Sequence, residues 1–254
     1  MADSPSRTNP LTKVKRAPKW ERVVLKISGE ALASETSDVV DAKVLERIAL
    51  EVADARETLG VEIAIVVGGG NIWRGTSGTH IGLDRATSDH MGMLATTMNS
   101  LALQNAIERA GQPTRVQTAI QMAELAEPYI RRRAIRHLEK GRVVILAAGM
   151  GSPYFTTDTA AALRAAEIGA SAVLKGTHSG IDGIYSADPK LEPNATLYEE
   201  VGYMDVISKG LAVMDMTAIT FCQDNHIEIL VFDVSAVGNV VRAMAGERLG
   251  TLVR

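Results

Sequence analysis

The stretch IVVGGGNIWRG, residues 65–75, runs from an apolar segment directly into three glycines and then into Asn71, Trp73 and Arg74. The apolar part, VEIAIVV (61–67), is β-branched and short, the pattern of a strand covered on both faces. Gly68, Gly69 and Gly70 remove side chains where that strand ends. Bare backbone at a strand exit lets N–H groups reach a ligand, and phosphate is the ligand that such donors suit. Arg74 adds a charge for an anion.

The same arrangement occurs twice more. RVVLKI (22–27) leads into KISGEAL (26–32), and RVVILAA (142–148) leads into AAGMGSPYFTTDTAA (147–161). A single glycine-rich exit is an ordinary tight turn. Three of them, each with Lys, Arg or Thr beside the glycines, point to one ligand crevice, because loops at the carboxyl ends of parallel strands gather on one edge of the sheet. Neither the P-loop spacing nor the dinucleotide fingerprint is present.

Between these strands the period changes to that of helices. Asp41 caps a helix over 42–59, whose Val44, Leu45, Ile48, Val52, Ala55 and Leu59 share a face and which Gly60 ends. Further helices are expected over 88–111, 129–141, 157–170, 216–225 and 238–246. Further strands are expected over 114–118, 171–175, 227–232 and 250–254. Segment 178–200 reads as a loop. Apolar strands alternating with helices predict an α/β fold: a three-layer α/β/α sandwich around a mainly parallel sheet.

Composition narrows the function. The 254 residues are 46% hydrophobic and 22% charged, with a net charge of −3, which does not favour nucleic acid or membrane as a partner. Cys222 is the only cysteine, so disulfides and a cysteine zinc site are excluded, and a cytoplasmic location is expected. Residues 1–19 are polar and basic without a signal-peptide core, and are expected to form a disordered tail or, alternatively, to touch an acidic partner. His80, His90, His137, His178 and His226 lack metal-ligand spacing and are given no chemistry.

LKISGEAL, VVGGGNIWRG, DHMGMLAT, GSPYFTTDTAA and DGIYSADP together resemble the bacterial uridylate kinases of the amino acid kinase superfamily, over a stretch from about Arg22 to the C-terminus. The resemblance implies one amino acid kinase-like domain over 20–254, with UMP in an N-terminal lobe and ATP in a C-terminal lobe. It implies transfer of the γ-phosphoryl of ATP to UMP, with Mg²⁺ held mainly by ATP phosphates, and a homohexamer (a trimer of dimers) activated by GTP and inhibited by UTP. By motif, Lys26, Ser28, Gly29 and Gly70 would contact ATP phosphates. Arg74 would sit where the two phosphate groups meet, and Gly69 would touch the UMP phosphate. Asp89 would hold the UMP ribose, while Met150, Gly151, Ser152, Pro153, Tyr154, Phe155, Thr156 and Thr157 would line the base and phosphate. Thr177, Tyr185 and Asp188 would surround the adenosine. Lys175 would be a second phosphate-facing lysine, and Asp158 would orient the lysines. Between Thr177 and Asp182 the chain reads HSGI, a longer connection than the family usually has.

The residue types suit such chemistry. A phosphate monoester is largely dianionic at neutral pH, so no general base is required. The obstacle is repulsion between two anions, which fixed positive charge and positioning overcome. Simpler readings stand beside these: Asp89 and Asp158 as helix caps, Arg74 as a surface residue, Trp73 as packing, and the basic RRRAIRH (131–137) as a solvated face or a GTP contact. The helix over 88–111 is apolar around much of its circumference, and Met91, Met93, Met98 and Leu101 are expected at a dimer contact or, alternatively, in the core. Two other functions remain: a kinase of the same superfamily acting on a carboxylate, carbamate or isopentenyl phosphate, and a non-catalytic nucleotide sensor.

Overall fold

A computed structural model describes residues 17–33, 39–74, 78, 81–178, 180–189, 191–192, 194–211 and 213–254. Most of the expected tail lies outside the described residues. At its end Lys19 donates its N–H to Met244 O at 3.2 Å.

Among the described residues nine strands form one sheet: β1 (Arg22–Ile27), β2 (Glu62–Val67), β3 (Thr114–Thr118), β4 (Glu127–Pro128), β5 (Val143–Ala147), β6 (Ala172–Thr177), β7 (Glu200–Val201), β8 (Glu228–Asp233) and β9 (Thr251–Val253). Their order is β4-β3-β5-β2-β1-β6-β8-β9-β7. Among these pairings only β8–β9 is antiparallel. The chain builds outward from β1 on one side and then returns to place β6 on the other. The crevice outside the carboxyl ends of β2, β1 and β6 is therefore the place where the topology opens a binding site.

The helices are α1 (Ala42–Leu59), α2 (Arg85–Arg109), α3 (Arg131–Glu139), α4 (Thr157–Ile168), α5 (Tyr203–Ser208), α6 (Met216–Asp224) and α7 (Asn239–Met244). Two cores lie on the two faces of the sheet. One joins Val23, Leu25 and Ile27 to α1, α2 and α7, while the other joins Val24, Ala64 and Val66 to α3, α4, α5 and α6. That is the three-layer sandwich expected. The strand period of two assigns alternate residues of β1 to opposite cores, so every residue of Val23–Ile27 is buried although neighbours point in opposite directions.

The caps explain the boundaries. Asp41 accepts from the N–H of Lys43 at 2.7 Å and of Val44 at 3.2 Å, and Gly60 ends α1 in the left-handed conformation, φ 71°. The helix expected from residue 88 begins at Arg85 instead, because Asp84 accepts from Thr87 N–H at 3.0 Å. Among the described residues of segment 178–200 there is no strand or helix before β7, only an isolated bridge between Tyr185 and Leu197.

Candidate functional site

Lys26 lies two residues after Val24 on β1 and so faces the α4 layer. Its register partner on β6 is Lys175. Side chains in register on neighbouring strands point the same way, and like charges placed so repel. Asp158, in the first turn of α4, separates them. Lys175 Nζ donates to Asp158 Oδ2 at 2.7 Å, and Lys26 Nζ lies 2.6 Å from Oδ1 as an ion contact without hydrogen-bond geometry. Burial pushes the Asp158 carboxyl up, but the two ammonium charges outweigh it and hold the group below the usual carboxylate range. Burial dominates at Lys175 and lowers its pKa, with Asp158 opposing. Three charged groups are thus fixed inside the sheet edge with a net positive charge facing the crevice. Asp158 does not cap α4: Thr156 does, accepting from Asp158 N–H at 3.1 Å and Thr159 N–H at 3.2 Å.

The glycine-rich exits pack on each other. A Cβ on Gly29 would lie 2.8 Å from both Gly68 O and Gly70 N, and one on Gly68 would lie 2.9 Å from Gly29 N. A Cβ on Gly69 would meet Ala95 Cβ at 2.8 Å and Gly92 O at 2.9 Å on α2. The opening expectation therefore needs a correction of cause. At Gly68 and Gly69 the close neighbour is the protein itself, and neither glycine has a positive φ. Buried Asn99 fastens the exit of β2 from behind, donating to Gly68 O at 2.8 Å and to Asn71 Oδ1 at 2.7 Å.

One side of the crevice is built from α2 and the loop between β5 and α4. Gly69, Trp73, Asp89, Met93, Thr96, Met150, Ser152, Phe155, Thr156 and Thr157 line one cleft. Gly151, Pro153 and Tyr154 frame it rather than line it. The loop is backbone-strained: Ala148 and Tyr154 have φ 61° and 73°. Two polar groups on α2 hold it, since Ala148 N–H donates to Thr96 Oγ1 at 2.9 Å and Tyr154 N–H donates to Asp89 Oδ2 at 2.8 Å. Arg85 Nε also donates to both Asp89 oxygens, at 2.9 and 2.8 Å. Asp89 is therefore not the cap of α2. It faces the cleft with part of its acceptor capacity already used. Trp73 packs, with its Nε1–H donating to Ser88 O at 3.1 Å.

On the other side, the Thr177 hydroxyl donates to Phe232 O at 2.8 Å and also contacts Ile181 O, so its side chain is bound up in the fold. The Tyr185 hydroxyl donates to Asp182. Asp188 lies further along the same loop, where its O accepts from Leu191 N–H and Glu192 N–H. Ser28 precedes the 3-10 turn Gly29–Leu32, and Gly70 faces the first side chain of that turn, Glu30. Arg74 donates to Glu30 Oε1, and His178 Nε2 lies 3.2 Å from Glu30 Oε2. The sequence reading gave no role to Glu30, His178, Thr96 or Asp215; Thr96 lines the cleft, and the other three make polar contacts beside it. Asp215 accepts from Thr156 and Thr159 hydroxyls and caps α6 through Ala218 N–H at 2.9 Å, so it ties α4's first turn to α6.

The amino acid kinase family model matches residues 21–233. A uridylate kinase of Arabidopsis thaliana, PUMPKIN, described as chloroplastic, is 60% identical over 236 residues, which are 92% of this chain and 69% of that protein. A uridylate kinase of Pediococcus pentosaceus is 54% identical over 236 residues, 93% of this chain and 97% of that one. The crystal structure of UMP kinase from Bacillus anthracis superposes with a TM-score of 0.89 at 38% identity, covering 92% of this chain and 96% of that chain. The chain belongs to the amino acid kinase family and, within it, to the uridylate kinases.

Proposed function

We propose that this protein transfers the γ-phosphoryl of ATP to UMP, giving ADP and UDP. The observation that carries this reading is the Lys26–Asp158–Lys175 centre at the carboxyl ends of β1 and β6, on the same sheet edge as a cleft lined by the loop before α4. The acceptor oxygen is already ionised, so the protein's task is to bring two anions together. Lys26 and Lys175 supply fixed charge, and Asp158 sets their geometry. Arg74, whose planar fork suits two phosphate oxygens, supplies a movable charge where the phosphates meet. The N–H groups of Gly29 and Gly70 face the ATP phosphates and that of Gly69 the UMP phosphate. Asp89 accepts from the ribose and the loop Met150–Thr157 encloses the base. The adenosine lies by Tyr185 and Asp188, with Thr177 contributing backbone.

Mg²⁺ fits this donor set as a phosphate-held ion. Among the described residues no three His, Cys, Asp or Glu side chains gather to hold a metal. The nearby carboxylates Asp158 and Glu30 are already paired with cations. Mg²⁺ would be held chiefly by ATP phosphates and water and would shield their charge.

The two halves of the sheet on either side of β1 act as acceptor and donor lobes of one domain over 20–254. The enzyme works in the cytoplasm as a homohexamer, a trimer of dimers, activated by GTP and inhibited by UTP. Of the expected set, Met98 on α2 is 59% exposed and supports a dimer contact through that helix, joined by Leu94, which lies outside that set, whereas Met93 is buried. Among the described residues no helix is long and apolar enough to cross a membrane.

A coupled ADP-release assay over UMP, dUMP, CMP, glutamate, carbamate and isopentenyl phosphate tests the activity. UMP turns over fastest. Turnover of another acceptor with UMP inert, or ATP binding with no turnover at all, overturns it.

A further inference from the structure

Glu30 is the first side chain after Gly29 and belongs to neither the lysine centre nor the acceptor cleft. Its carboxylate nevertheless lies where three strand exits converge. Oε1 receives Arg74 from the exit of β2. Oε2 lies 3.2 Å from His178 Nε2, at the exit of β6. A Cβ placed on Gly70 would stand 3.1 Å from Oε1, so the carboxylate rests against the bare backbone of the glycine loop. A guanidinium on one oxygen, an imidazole beside the other and bare glycine backbone alongside make an environment suited to an anion. The anion here belongs to the protein.

We propose that Glu30 is a built-in competitor for substrate phosphate at Arg74: it pairs with Arg74 beside the glycine loop and must release it when nucleotide binds. The inference rests on the reading of Arg74 as a phosphate contact. It makes Glu30 a positioning residue that acts through Arg74. The pair is open enough to exchange, because the Arg74 side chain is 60% exposed and that of Glu30 31%. A phosphate carries more charge than a carboxylate and offers more oxygens, so it wins the arginine. The exchange costs binding energy but leaves the bound complex unchanged. A contact made only by the free enzyme changes ground-state and transition-state binding equally, so its loss appears in the Michaelis constant and not in kcat. His178 lies in the long HSGI connection and ties the second oxygen to the donor lobe, so release of Glu30 is felt on both sides of the crevice.

The test is a cycle of Glu30→Gln, Arg74→Ala and the double variant, with UMP dissociation constants from calorimetry and steady-state kinetics on each. Glu30→Gln removes the competing charge and keeps the side-chain shape. The expected result is UMP binding about two- to fivefold tighter, the range of a part-exposed ion pair. kcat stays within twofold and the melting temperature within a few degrees. On the Arg74→Ala background the substitution has no effect on UMP binding. Unchanged or weaker UMP binding in Glu30→Gln overturns the proposal. So does the same tightening on the Arg74→Ala background, which assigns it to loss of a negative charge in general. If Arg74→Ala itself leaves UMP binding unchanged, the reading of Arg74 fails instead, and the two failures are distinct.

Discussion

The two sides of the crevice hold their charges in different ways. At the lysine centre, Lys26 and Lys175 stand in register on adjacent strands, their side chains only 9% and 15% exposed, with one carboxylate between them. At the acceptor side, Arg74 and Arg85 are 60% and 49% exposed, and each holds a carboxylate, Glu30 or Asp89, that also faces the site. The first arrangement cannot rearrange without unpairing a buried charge. The second can exchange partners at small cost. Transition-state stabilisation needs donors that are already in place, and recognition needs contacts that can be handed over to a ligand. The sheet supplies the one and the loops the other.

The sharpest way to break this contrast is Asp158→Asn. Two lysines would then face each other across β1 and β6 without a counter-charge. Removing one partner of a buried ion set costs about 3 kcal/mol, and the displaced ammonium groups should lower kcat about 100-fold or more. Urea unfolding and steady-state kinetics read both effects. A variant as stable and as active as wild type would remove the centre from the account.

Asp89→Asn tests the exchangeable side. A ribose contact through a carboxylate makes UMP preferred over dUMP, because the site's own acceptor is left unpaired by the deoxy sugar. The variant should lose about tenfold of that preference while the Michaelis constant for ATP stays within twofold. Asp89 also receives Tyr154 N–H, and Asn retains one oxygen acceptor for it, so the strained loop is kept. A full UMP-to-dUMP ratio in the variant would assign Asp89 to holding the loop alone.

Acid sharpens the contrast further. The Asp158 carboxyl is held below its ordinary value of 3.8, so its stabilising contribution is complete above that value and is lost as pH falls through the lower folded one. As pH falls below that ordinary value the wild type should therefore lose more stability than Asp158→Asn. Parallel losses in the two proteins would show that the centre does not carry this titration. The smallest effect is expected at α2: Met98→Glu should weaken self-association with kcat per subunit within about threefold, seen by light scattering, because it charges an exposed face away from the cleft. An unchanged assembly would move the dimer contact elsewhere.

Much of this was legible in the sequence because it is written in local patterns. The apolar runs of β1, β2, β5, β6 and β8 each carry their own evidence of burial, and three of them end in glycine-rich exits. Lys26 stands out as a charge at the end of such a run. The two-residue strands β4 and β7 and the short α5 have no periodicity long enough to read, and exist through their neighbours. α2 starts earlier than expected because Asp84 wins the capping position. Glu30, His178, Thr96 and Asp215 acquire meaning only when distant strand exits converge. Gly68 and Gly69 were legible as bare backbone, but the neighbour requiring it was another loop and a helix.

The most direct test of fixed charge as the source of catalysis is the single-turnover rate of phosphoryl transfer in Lys26→Ala with ATP and UMP both saturating. Asp158 keeps Lys175 in this variant, so the fold and UMP affinity should be retained, while the rate should fall about 100- to 1000-fold. A rate within about threefold of wild type in a folded, nucleotide-bound variant would contradict the account.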